Sequence, residues 1–262
     1  MTLLLLGGTE EGKKLVEPLM AANIPLIYSH AGLVRTPQLP CEIISGGFSQ
    51  YADDGSEELG IEGLQNYIKQ NGIQLILDAT HPYAAIISAH AAQASQACNI
   101  PCYRYARPAW QASAQDEWIN VANEAELLEK LADYQRPFFT LGQSVSSLIE
   151  QKISSQHWLV RTTSGFDSAA IEQRSDITCI RAIGPFELSN ERGFLVQHRI
   201  DVIISKNSGG HATEAKISAA RELTIPVIML QRPTLPAVTR EFGSIDECVT
   251  QCSQWYEQNK TK

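Results

Sequence analysis

No apolar run of membrane-spanning length occurs in this 262-residue chain, and no block of lysine or arginine. The first absence excludes a transmembrane helix. The second, with a net charge of −8, argues against a general nucleic-acid surface. No charged segment precedes the N-terminal leucines, so a signal peptide is not read there and the cytoplasm is the expected compartment. The six cysteines form no C-x-x-C pair. Cys98/Cys102 and Cys248/Cys252 are spaced by four, without a partner pair at zinc-site spacing. They read as buried free thiols, and no metal site is expected. Several chemical signatures are also missing. There is no G-x-x-x-x-G-K-[ST] loop and no G-x-S-x-G elbow, so ATPase and hydrolase readings lack support. A Tyr-x-x-x-Lys occurs only at Tyr256–Lys260, far from any strand-end loop.

What is present is an ordinary globular composition, 44% apolar and 19% charged. The length suits one large domain or two of about 120–140 residues. Short apolar runs, at Leu3–Leu6, Pro25–Ser29, Cys41–Ser45, Ile73–Asp78 and Pro101–Tyr103, alternate with helix-like stretches at Glu10–Ala22, Ile61–Asn71 and Tyr83–Ala97. Continuous apolar strands separated by helices indicate parallel sheets covered on both faces, an α/β class. Asn-Ile-Pro at 23–25 and 99–101 and Thr-Ile-Pro at 224–226 mark one repeated joint, where a helix stops and a strand starts. A second set of strands is read at Pro137–Leu141, Trp158–Arg161, Ile177–Ala182 and Asp201–Ser205. Helices are read at Ser144–Gln151, Glu187–Gln197 and Thr213–Leu223. Capping boxes stand at Asn123–Glu126 and Ser244–Glu247. The expected organisation is two α/β domains, 1–130 and 131–262, with a ligand cleft between them at the carboxyl ends of strands.

Three strand ends concentrate the chemistry. The first is Leu6-Gly7-Gly8-Thr9-Glu10-Glu11-Gly12, a βα turn whose glycines are spaced unlike the G-x-G-x-x-G dinucleotide fingerprint. Thr9 can offer a hydroxyl to a phosphate, while Glu10 and Glu11 repel one. Either glutamate can accept from a ribose hydroxyl or simply complement the helix dipole, and an ordinary tight turn is the plain alternative. The second is Asp78-Ala79-Thr80-His81-Pro82-Tyr83-Ala84. Pro82 suits the first helical position, which would leave the Tyr83 and Ala84 amides open to an anion. His81 is a general acid, a phosphate donor or a structural cap. The third is Lys206-Asn207-Ser208-Gly209-Gly210, which shares the physics of a phosphate loop without its motif. Lys206 is an anion clamp or a surface lysine. Arginines at 35, 104, 107, 161, 181, 221 and 232 are candidate partners for a carboxylate-rich ligand, or solvent-facing charge.

These segments, together with Ser29-His-Ala-Gly32, Gly46-Gly47-Phe48 and Arg232-Pro233, stand in an order that resembles the precorrin-6A reductases of cobalamin biosynthesis, cobalt-precorrin-6A enzymes included. The resemblance runs from residue 1 to about 233. It implies two Rossmann-like, flavodoxin-type parallel-sheet domains with a cleft between them. It also implies an oxidoreductase that passes a hydride from NADPH or NADH to a double bond of a tetrapyrrole. By the same resemblance Gly8, Thr9, Glu10, Thr80, His81, Pro82, Tyr83, Ala84, Asn207, Ser208, Gly209 and Gly210 bind the cofactor, and His81 and Lys206 are the catalytic candidates. Arg35 stands near an arginine that would pair with a 2′-phosphate. The segment after Phe48 departs from the family pattern at Ser49-Gln50. The alternatives are a reductase of another polyanionic substrate and a two-domain small-molecule sensor. Neither nucleic acid nor membrane is an expected partner, and nothing fixes an oligomeric state.

Overall fold

The computed structural model describes residues 1–32, 37–53, 56–166, 171 and 173–260. Its contacts divide the chain into two compact units, Met1–Arg107 with Pro233–Lys262, and Pro108–Arg232. The join therefore falls at 107/108 rather than at 130/131. The last thirty residues pack with the first unit, not the second, because their apolar side chains complete its core.

The first unit opens with β1 (Thr2–Leu6). Its leucines alternate between two buried cores: Leu3 and Leu5 face one with Leu19 and Tyr28, Leu4 and Leu6 the other with Phe48 and Leu64. Burial on both faces is why the strand is uninterruptedly apolar. One helix is expected at Glu10–Ala22; two are present, α1 (Glu10–Lys14) and α2 (Val16–Ala21). Pro18 explains the break: it has no N–H for the Lys14 carbonyl, and its ring crowds that carbonyl. The chain continues through β2 (Leu26–His30), β3 (Glu42–Ser45), α3 (Leu59–Gln70), β4 (Ile73–Asp78), α4 (Ala85–Ala97) and β5 (Cys102–Tyr105).

It then enters the second unit through β6 (Trp118–Val121) and α5 (Glu124–Leu131). Next come β7 (Pro137–Phe139), β8 (Trp158–Thr162), β9 (Ile177–Arg181), α6 (Leu188–Gln197), β10 (Val202–Lys206), α7 (Ala215–Glu222) and β11 (Val227–Leu230). The helix expected at Ser144–Gln151 is a 3-10 helix spanning Gly142–Gln151. Its serines bond locally, with Ser147 Oγ donating to the Ser144 carbonyl at 3.0 Å, and so favour tighter turns. The chain returns to the first unit as β12 (Arg240–Phe242) and α8 (Ile245–Asn259).

Among the described residues each unit holds a six-stranded sheet, ordered β3-β2-β1-β4-β5-β12 and β9-β8-β7-β10-β11-β6, with every pairing parallel. The two parallel-sheet domains expected from the sequence are present. The first follows the six-strand Rossmann order 3-2-1-4-5-6 in its own strands, rather than the five-strand flavodoxin order. The second repeats the first five places with β7 to β11, but its sixth place is taken by β6, which precedes them. Phe139, Trp158 and Ile204 pack with α5 on one face of that sheet, and Phe138, Leu159 and Ile203 with α6 and α7 on the other.

Candidate functional site

In the first sheet the chain moves outward from β1 to β2 and β3, and then in the opposite direction from β4 to β5. The reversal lies between β1 and β4, and in open α/β sheets ligands bind outside the carboxyl ends of the strands at such a reversal. Two of the three candidate segments meet there. The Ala79 amide donates to the Leu6 carbonyl at 2.9 Å, and Thr9 Oγ1 donates to the Ala79 carbonyl at 2.9 Å.

The glycines of the first turn have distinct tasks. A Cβ on Gly7 would lie 2.2 Å from the Tyr28 ring, and one on Gly12 would lie 3.3 Å from the Gly7 backbone. Bare backbone is thus what lets β1, β2 and α1 approach. Gly8 has φ +98°, a conformation that favours glycine. Its amide donates to the Tyr28 hydroxyl at 2.8 Å. Burial pushes the Tyr28 phenol above its usual value, opposed by that amide. Thr9 caps α1, accepting from the Gly12 amide at 2.9 Å while its own proton goes to Ala79. The expectation that Thr9 offers its hydroxyl to a phosphate is therefore corrected: that proton is already committed. The two glutamates also have partners. Glu10 pairs with Lys13 at the surface, and Glu11 with Arg107 at 2.7 Å.

The second loop begins at Asp78, 2% exposed, whose Oδ1 accepts from the Thr80 amide at 3.1 Å and from Thr80 Oγ1 at 2.7 Å. Its Oδ2 faces Arg104 Nε at 3.2 Å. Residues 81–84 form a turn and α4 starts at Ala85, so Pro82 is not its first residue. The Ala84 amide donates to the His81 carbonyl at 2.7 Å, and the Tyr83 amide to His81 Nδ1 at 3.3 Å. Those two amides are closed within the turn rather than open to an anion. With Nδ1 an acceptor, the network assigns the ring proton of neutral His81 to Nε2.

The third segment belongs to the second unit. Lys206 Nζ donates to Ser144 Oγ at 2.8 Å and to the Leu141 carbonyl at 3.3 Å. Burial lowers the Lys206 pKa, with Glu124 acting against the shift. Asn207 is clasped by the backbone of Trp110, accepting from its amide at 2.9 Å and donating to its carbonyl at 3.1 Å. Arg232 donates to the carbonyls of Asn207 at 2.7 Å and Ser208 at 3.1 Å. Gly209 and Gly210 have φ +67° and +79°, and a Cβ on Gly209 would lie 2.1 Å from the Pro108 carbonyl. The indole of Trp110 donates to the Gly210 carbonyl at 3.2 Å, and Lys216 Nζ lies 4.8 Å from its ring centroid.

Sequence reasoning missed Tyr28 and Trp110, which hold the first and third segments. Tyr28 stands beside Leu5 in the β1–β2 register, so strand pairing was its one available signal. Trp110 carries none, because only the fold brings it to residues a hundred positions away. Several candidate arginines serve internal contacts: Arg104 faces Asp78, Arg161 holds the buried Glu191 through two bonds at 2.8 and 2.9 Å, and Arg221 pairs with Asp116 at 3.0 Å. Arg35 lies outside the described residues. Among the described residues no group of three or more His, Cys, Asp or Glu is placed to hold a metal ion, and no helix is long and apolar enough to cross a membrane.

Comparison with known proteins gives a consistent result. Residues 2–253 match the family described as "Precorrin-6x reductase CbiJ/CobK". The chain is 36% identical over 249 residues to the precorrin-6A reductase of Rhodococcus erythropolis, covering 93% of this chain and 94% of that one. It is 25% identical over 246 residues to the cobalt-precorrin-6A reductase of Salmonella typhimurium, covering 90% and 89%. Among solved structures, "CobK precorrin-6A reductase" superposes with a TM-score of 0.84 at 29% identity, covering 97% of each chain.

Proposed function

Because the chain belongs to the precorrin-6x reductase family, we propose that it is the oxidoreductase that reduces a double bond of precorrin-6A with a hydride from NADPH or NADH. The observation that carries this reading is the 36% identity with a precorrin-6A reductase over nearly the whole of both chains. Relatives at 32–36% identity are precorrin-6A reductases, whereas the cobalt-precorrin-6A reductases stand at 25–28%. That gradient favours the metal-free macrocycle as substrate.

The first unit suits a dinucleotide on its own geometry. Its β1/β4 reversal, and Gly8 at φ +98° with nothing within 4 Å of the place a Cβ would take, fit the bare-backbone wall such a cofactor lies against. The bound nucleotide supplies the hydride, and the chain supplies position, charge and protons. His81 is the proton donor in this reading. Lys206 and the Asn207–Gly210 loop, held rigid by Arg232 and Trp110, serve the carboxylate-rich tetrapyrrole.

The test is anaerobic oxidation of NADPH and of NADH, followed by absorbance, with precorrin-6A and with its cobalt form. Oxidation with precorrin-6A, faster than with the cobalt form, is expected. No oxidation of either nucleotide with either macrocycle would overturn the proposal.

A further inference from the structure

The hydroxyl of Thr80 has its donor and acceptor roles fixed by its neighbours. Thr80 Oγ1 donates to Asp78 Oδ1 at 2.7 Å, with the Arg104 guanidinium at the other oxygen, so that contact uses the Thr80 proton. Ser88 Oγ, 1% exposed, lies 3.3 Å from the same oxygen. Since Thr80 has one proton and Asp78 takes it, Ser88 is the donor in that contact. Thr80 Oγ1 keeps one lone pair and no proton. Asp78 is itself held on the far side: Arg104, 5% exposed, occupies Oδ2 and anchors through Nη1 to the Pro236 carbonyl at 3.0 Å and to Glu241 at 3.3 Å. The carboxylate therefore cannot rotate away from Thr80 without abandoning the guanidinium.

We propose that Thr80 meets the bound dinucleotide as a hydrogen-bond acceptor, reading an O–H or N–H donor rather than a phosphate oxygen, and that Asp78 is the positioning residue that enforces this polarity. The proposal rests on the reading of a reduced nicotinamide cofactor at the β1/β4 reversal. The diester phosphates of the dinucleotide carry no proton at neutral pH, which leaves the ribose hydroxyls, the adenine amine and the carboxamide of the nicotinamide as the groups that fit. Part of the discrimination between a nucleotide and a bare phosphate then lies in one side chain.

Fluorescence titration tests it with NADPH, with the reduced analogue carrying acetyl in place of carboxamide, and with inorganic pyrophosphate as competitor. Thr80→Val keeps the shape and removes the acceptor. It should weaken NADPH roughly tenfold, while Thr80→Ser stays within about twofold of wild type and pyrophosphate competition is unchanged. If the Thr80→Val loss disappears with the acetyl analogue, the donor is the carboxamide. If it persists, the donor is a ribose hydroxyl or the adenine amine. Either result supports the proposal. Asp78→Asn should raise the KM for NADPH with kcat nearly retained, a split that general loosening of the fold would not give. Should that variant fail to fold, Thr80→Val still decides. Wild-type affinity for NADPH in Thr80→Val, or an equal loss for pyrophosphate, overturns the inference. Failure of the wild-type protein to bind either reduced nucleotide overturns instead the functional reading beneath it.

Discussion

Lys206 is a half-buried ammonium held by a carbonyl and a hydroxyl, and its pKa lies below the usual lysine value because of that partial burial. The unfolded chain restores the ordinary value near ~10.4. Between the two values the unfolded state binds the more protons, so this group adds stability as pH rises through the window that ends there. Wild type should therefore gain on Lys206→Met as pH climbs from neutrality toward ~10.4, measured by denaturant unfolding of both proteins across that range. A difference that stays flat, or moves the other way, would show that burial does not set this titration. At this scale the sequence was legible in kind but not in use. Lys206, Thr9 and Thr80 all stand at strand ends, as read. What could not be read was where each proton goes, because Ala79, Asp78 and Ser144 reach these groups only through the fold.

At the scale of elements, the repeated joint was legible because it is local. Asn23, Asn99 and Thr224 all adopt left-handed φ of 51–58° at the end of a helix, two residues before the proline that opens the next strand. Arg199 does the same before Asp201, without a proline. Asparagine tolerates this region, whereas the branched β-carbon of threonine does not. Thr224→Asn, at an exposed position, should stabilise the protein by about 0.5–1 kcal/mol, seen as a rise of roughly 1–4 °C in Tm by thermal unfolding. The capping boxes were equally legible: the Glu126 amide donates to Asn123 at 3.0 Å and the Glu247 amide to Ser244 at 3.2 Å. The missed strands are the outermost ones. In β12 the first two residues are exposed, and β6 has only Val121 fully buried. A sheet edge needs no continuous apolar run, so neither strand left the trace that β1 did.

The whole molecule is interleaved: its second unit is one unbroken segment, and its first is made of two. Arg107-Pro108 and Arg232-Pro233 mark the two crossings. Sequence patterns showed two α/β bodies but not this nesting, because nothing local in β12 or α8 says which sheet they join. The pairing of Phe242 with Tyr105 and the packing of Cys248 and Cys252 against Leu19 and Tyr28 do. The nesting makes an asymmetric prediction. The fragment 108–232 retains its whole sheet and should unfold cooperatively by circular dichroism. A chain ending at Arg232 leaves β5 without its outer neighbour β12 and uncovers the Leu3–Leu5 core face, and should be recovered as aggregate in size-exclusion chromatography. A soluble, cooperative 1–232 would show that the returning strand and helix are dispensable.

The crossing at Arg232-Pro233 also sets a timetable for birth on the ribosome. Domains usually mature in the order in which they are translated, at about 5–20 residues per second. Here the unit begun first is finished last. The two loops after β1 and β4 are synthesised early, yet the segment that anchors Arg104 through Pro236 and Glu241 follows only after the entire second unit. For the several seconds this takes, nascent β5 has an open edge. Translation speed between residues 108 and 242 thereby becomes a determinant of yield.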